Sequence, residues 1–147
     1  MKYSEARTGR AFVIRLEHGD VLHEEVEQFA QEKGIQAATL LAVGAADAGS
    51  RLIVGPEDGE AVSIEPMERV FEGAHEMAGV GTLFPGEDGR PMLHMHIACG
   101  RGSDTVTGCV RRGVKTWHVM ELIVLELVGS TGTRKRDETL GFQLLQP

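Results

Sequence analysis

Aromatic residues are scarce, at 5% of 147, which leaves little from which to build a platform for stacking nucleic-acid bases. Cysteine is scarcer still. Cys99 and Cys109 are the only two, too few for a disulfide framework. No stretch approaches the roughly 18 apolar residues of a membrane-spanning helix. The opening Met1-Lys2-Tyr3-Ser4-Glu5 lacks the apolar segment of a secretory signal, so a cytosolic protein with no membrane partner is expected. Positive charge is in deficit, with 15 Lys and Arg against 22 Asp and Glu for a net of −7. Sequence-blind binding to nucleic acid rests on cations that neutralise phosphates, so this balance argues against it. The P-loop, the GxGxxG turn, the GxSxG elbow and the CxxC pair are all missing.

What is present fits one domain, expected over residues 1–147 with a core from about 10 to 145. A chain of this length buries roughly 68–70% of the surface it exposes when unfolded, enough to fold without a disulfide or a metal. Glycine is plentiful, 19 of 147, against a usual share of about 7%, but it has no period. Charge is uneven. Residues 1–100 hold 8 basic and 17 acidic side chains (net −9), and residues 101–147 hold 7 and 5 (net +2).

Arg10–Glu17 alternates and is rich in branched residues, which predicts a strand. Leu22, Val26, Phe29 and Ala30 recur at helical spacing, predicting an amphipathic helix over about 20–33, with Asp20 as its cap and Gly34 past its end. Strands are then expected at Ala37–Ala46, Ala48–Gly55, Met67–Glu72, Met77–Phe84, Pro91–Cys99, Thr105–Arg111, Trp117–Val128 and Thr139–Leu145. The run Arg134-Lys135-Arg136 reads as a solvated loop. One helix among about eight strands, mostly in hairpin succession, predicts an α+β fold with a largely antiparallel sheet.

The chemistry is concentrated in Leu93-His94-Met95-His96-Ile97-Ala98-Cys99-Gly100. Residues two apart on a strand share a face, so His94 and His96 point the same way, about 6–7 Å apart. Two such imidazoles suit a divalent metal, or they are ordinary surface or core histidines. Gly102-Ser103 fits a two-residue hairpin turn. Centred there, opposed residues sum to 205, so that His96 faces Cys109 and His94 faces Arg111. A thiolate beside two imidazoles makes a three-ligand set, for which zinc is the metal expected. Arg111 alongside would suit a small anionic ligand.

The preceding loop, Gly86-Glu87-Asp88-Gly89, predicts a sum of 175. That register sets Gly81 opposite His94 and Gly79 opposite His96, either as room for a ligand or as glycines at a twist. It sets His75 on the same face, opposite Gly100, as a fourth ligand only if a bulge or another subunit intervenes. Cys99 has the other parity, so no Cys99–Cys109 disulfide is expected. Glu121 and Glu126 also differ in parity. An inward Glu121 would be a catalytic base or, the favoured reading, a core carboxylate. His118 is read as surface or interface.

The strings LHMHIACGR and TGCVRRGVKTW, the Glu-bearing apolar strand after them, and FEGAHEMAGVGTLFPGEDGRPMLHMH before them resemble the PPC (plants and prokaryotes conserved) domain from about Arg10 to Leu145. The resemblance implies a compact α+β domain assembled as a homotrimer, often with a metal at the HxH histidines, here His94 and His96. Many such domains have histidine where this chain has Cys109, which keeps a ligand but changes its type. Plant relatives pair the domain with AT-hooks and act on DNA. Here Gly89-Arg90-Pro91 matches an AT-hook core, but it lies in an expected turn beside Glu87 and Asp88. DNA binding therefore stands as the alternative to a metal-binding protein, whose chemistry, if catalytic, would be metal-assisted on a small anionic substrate.

Overall fold

The computed structural model describes residues 1–61 and 64–147. Eight strands form one sheet, β1 (Arg7–Glu17), β2 (Ala38–Ala46), β3 (Arg51–Pro56), β4 (Pro66–Val70), β5 (His75–Pro85), β6 (Pro91–Arg101), β7 (Asp104–Val110) and β8 (Thr116–Val128), in the order β1-β8-β2-β5-β6-β7-β3-β4. Neighbouring strands run antiparallel throughout. The helix α1 (Leu22–Lys33) connects β1 to β2, and the fold is α+β as the pattern predicts.

Period-two alternation decides which side of each strand is covered. Leu40 and Ala42 on β2, Leu93, Met95, Ile97 and Cys99 on β6, and Met120, Leu122 and Val124 on β8 are buried together with Leu22, Val26 and Ala30 of the helix. Full burial of a Leu, Ile or Met side chain contributes about 1.5–3 kcal/mol, so this one-sided core drives the fold. Phe29 sits at its margin, edge-on to Phe12 with centroids 5.2 Å apart.

The helix begins differently from the expectation. Asp20 does not cap it. Its carboxylate accepts the Glu17 N–H at 2.8 Å, and Val21 is the N-cap residue. The cause is tertiary. Val21 pairs with Lys115, while the Leu22 N–H donates to Val114 O at 2.9 Å, so the stretch before β8 fixes the helix start. The other end follows the sequence, with Gly34 in the left-handed conformation at φ 64°, where glycine carries no Cβ penalty.

The basic run also departs from expectation. Thr133–Arg136 is a strand, β9, paired with β10 (Gln143–Gln146) in a separate hairpin. Arg134 is only 3% exposed. A side chain that looks solvated in sequence is covered because the hairpin folds back onto β5. There the Arg134 Nη2 donates to Thr82 Oγ1 at 2.9 Å.

Arg10 ties three elements together. Its Nε and Nη2 donate to the two oxygens of Glu126 at 2.8 and 2.7 Å, and Nη2 also reaches Lys33 O at 3.1 Å. The Arg10 side chain, then its backbone N–H, hold the Glu126 carboxyl down to about 2 from an ordinary 4.5. A depressed carboxyl contributes stability above its unfolded value and loses it as pH falls through the folded one. Glu126→Gln should therefore be less stable than the wild type above pH ~4.5, modestly so because the Arg10 end of the pair is half in solvent. Urea midpoints of the two proteins should converge between pH 4.5 and 2; parallel curves would show that the pair contributes nothing.

Candidate metal centre

Leu93, Met95, Ile97 and Cys99 fill the core, so the intervening His94 and His96 project from the outer face of β6. The turn from β6 to β7 is the two-residue one expected, with Arg101 opposite Asp104, and the register carries His96 onto Cys109. The His94 and His96 Nε2 atoms are 3.3 Å apart, with ring planes at 69°. The ligand atoms of His94, His96 and Cys109 all lie within 4.8 Å of one another. Two nitrogens bound to one tetrahedral zinc at about 2.05 Å would be roughly 3.3 Å apart. The spacing of the two imidazole nitrogens therefore fits a single tetrahedral metal ion.

Positive groups surround this cluster. The Arg111 Nε donates to Cys109 Sγ at 3.4 Å. Arg134 reaches Thr82, which lies directly across from His94 on β5. Burial, followed by the nearby Arg134, Arg111 and His96, pushes the His94 imidazole down to about 4. It is neutral near pH 7, the form in which imidazole ligates a metal.

Four expectations need correction. The loop between β5 and β6 encloses five residues, with Pro85 opposite Pro91 and the Gly86 N–H donating to Arg90 O at 2.8 Å. Opposed residues therefore sum to 176, and a one-residue slip exchanges the faces of a strand. Val80 faces His96 and Thr82 faces His94. Gly79 and Gly81 lie on the core side, where a Cβ would come within 2.4 Å of Ile97 Cγ2 and 2.9 Å of Met95 Cβ respectively. They make room for core side chains, not for a ligand beside the histidines.

The same slip removes His75 from the metal face. It pairs with Ala46, stacks on Phe71 with centroids 4.1 Å apart, and has its Nδ1 2.7 Å from Gly73 O. It is not part of the His94–His96–Cys109 group. Arg111 lies past the end of β7 and has no partner in the β6–β7 ladder. It approaches the site through Cys109 instead. Glu121 is exposed, whereas Glu126 turns toward the covered side. Glu121 is on β8, three strands from β6, or roughly 14 Å at the usual strand spacing.

Cys99 and Cys109 are both free and point to opposite faces. Burial pushes the Cys99 thiol up to about 12, so it remains a neutral core side chain. Arg134 is the residue that sequence reasoning missed. The strand expected from Thr139 begins only at Gln143, after a turn in which the Gly141 N–H donates to Asp137 O at 2.8 Å, and no local pattern marks a buried arginine.

The chain matches the Plants and Prokaryotes Conserved (PCC) domain over residues 3–128 and belongs to that family. It is similar in structure to the metal-containing protein from Archaeoglobus fulgidus, at 28% identity and TM-score 0.84, with 100% of both chains covered. A PPC protein from Pyrococcus horikoshii superposes with TM-score 0.84 at 22% identity, covering 100% of this chain and 98% of that one. A protein from Ralstonia eutropha, described provisionally as DNA-binding, gives TM-score 0.71 at 21% identity over 92% and 90% of the chains. A search of curated proteins returns no match.

Proposed function

We propose that the protein is a cytosolic homotrimer that binds one zinc ion per chain through His94, His96 and Cys109, with Arg111 beside it for a small anion. The observation that carries this reading is the 3.3 Å separation of the two Nε2 atoms with Cys109 in reach. Two imidazoles and a thiolate leave one position of a tetrahedral ion open. The metal-containing relative from Archaeoglobus fulgidus supports the choice of a metal. A bound zinc would supply Lewis-acid polarisation to an anionic substrate. His94 and His96 would hold the ion by neutral nitrogens, and Arg111 would keep its guanidinium against the thiolate.

The outer face of the sheet supports assembly. Val13, Leu41, Val43, Val80 and Ile123 are large apolar residues left exposed on β1, β2, β5 and β8. A contiguous apolar patch of this kind is a usual mark of an interface, and a second and third copy of the chain would cover it. Elemental analysis of untagged protein should find one zinc per chain, lost in the His94→Ala, His96→Ala double variant, and light scattering should give three times the chain mass. Metal content unchanged by the double variant would overturn the centre, and a monomer would overturn the assembly. DNA association is the second reading. Tight binding to a duplex that weakens steeply with salt would favour it over the metal-centred one.

A further inference from the structure

A cavity of about 640 Å³ opens beside the proposed centre, and its walls are of two kinds. Arg111, Arg112 and Arg136 line it together with Ile53, Leu140 and Phe142, and Glu138 is also in its wall. Two residues join this cavity to the metal face. Arg111 touches Cys109 Sγ, and Ile53 is the cross-strand partner of Cys109 between β3 and β7. The β9–β10 hairpin closes the other side, contributing Arg136, Leu140 and Phe142 from its strand and loop.

Most of the cations in this wall and behind it have no carboxylate partner. Among the described residues, Arg112 pairs with Glu68 at 3.3 Å, but Arg111, Arg134 and Arg136 have no carboxylate partner. Arg134 is nine-tenths buried or more, and its Nε has no hydrogen-bond partner. A buried, charged donor without a partner is costly unless something from outside satisfies it or its charge.

We infer that the ligand of this site is an oxyanion, a carboxylate or phosphonate-like head, that carries an apolar body. Arg111 contacts the head beside the metal centre, Arg134 adds a second positive charge behind it, and the body lies against Ile53, Leu140 and Phe142. This rests on the metal-centre reading, because the head is placed next to the ion. The cavity has the size of ordinary small-molecule sites, about 300–1,000 Å³, which is more than a bare inorganic anion would fill. Oxyanion recognition by a guanidinium is charge-assisted, and the apolar wall then discriminates between anions with the same head.

The test is calorimetric titration of zinc-loaded protein with matched probes: benzoate against acetate, phenylphosphonate against methylphosphonate, and benzyl alcohol as the uncharged control. The aromatic member of at least one pair should bind at least tenfold tighter than its methyl counterpart, and benzyl alcohol should not bind measurably. Arg111→Gln should weaken the aromatic anion tenfold or more. Arg134→Gln should weaken it as well, and Arg134→Lys should restore most of that loss. Phe142→Ser should erase the aromatic preference while the methyl anion binds as before, with the zinc content of this variant unchanged. Equal affinities within both pairs, or full binding by Arg111→Gln, would overturn this inference and leave the metal centre standing. Failure of the wild-type protein to take up zinc would overturn the centre, and this inference with it.

Discussion

Cys109→Ala should lower zinc affinity by about two orders of magnitude, whereas Cys99→Ala should leave it within a few-fold of the wild type. Structural zinc sites bind with about 10–16 kcal/mol spread over their ligands, so the loss of one ligand is expected to cost on the order of 3 kcal/mol. The contrast between the two cysteines is the informative part. Cys99 is fully buried, and its thiol is pushed up to about 12, so it cannot offer a thiolate near neutral pH. Cys109 stands opposite His96 and receives a hydrogen bond from Arg111. Competition with a chromophoric chelator measures both variants. Similar affinities for Cys109→Ala and wild type would show that the histidines alone hold the ion.

Gly108→Ala should destabilise the protein by on the order of 3 kcal/mol, at the upper end of what overpacking a tight contact costs, and should weaken zinc binding in the molecules that remain folded. A Cβ at Gly108 would lie 2.6 Å from Ile53 O and 2.9 Å from Leu52 Cβ. The first of these is backbone, so it cannot turn away. Relief requires β3 to move off β7, and β3 is paired there at Leu52 and Ile53, the latter opposite Cys109. The damage therefore reaches a proposed ligand directly. Thr107→Ala, one residue earlier and exposed, is the control and should change stability by less than about 0.5 kcal/mol. Urea unfolding of both variants gives the comparison, and equal midpoints would show that β3 and β7 separate without cost.

The metal face illustrates what local pattern can specify. A strand repeats every two residues, so His94 and His96 had to share a side whatever the rest of the chain did. The two-residue turn at Gly102-Ser103 then left one register for β7 and brought Cys109 to His96. The preceding hairpin shows how little is needed to lose such an argument. Taking Gly86–Gly89 as a four-residue loop and not Gly86–Arg90 as a five-residue one shifts the sum by one and exchanges faces. That single residue separates Gly79 and Gly81 as ligand space from Gly79 and Gly81 as packing for Met95 and Ile97. His75 left the site by the same step.

Short-range information thus determined the α+β class, the one amphipathic helix, and the alignment of two histidines with a cysteine. Periodicity and a tight turn act over a few residues and need no distant partner. Contacts between residues far apart in sequence decided the rest. Val114 and Lys115 set where the helix starts, over Asp20. The fold-back of β9 and β10 buried Arg134 against Thr82 across from His94. A charged side chain reads as solvated until some other part of the chain covers it. That covering, which shapes the cavity beside the proposed centre, exists only in the assembled tertiary structure.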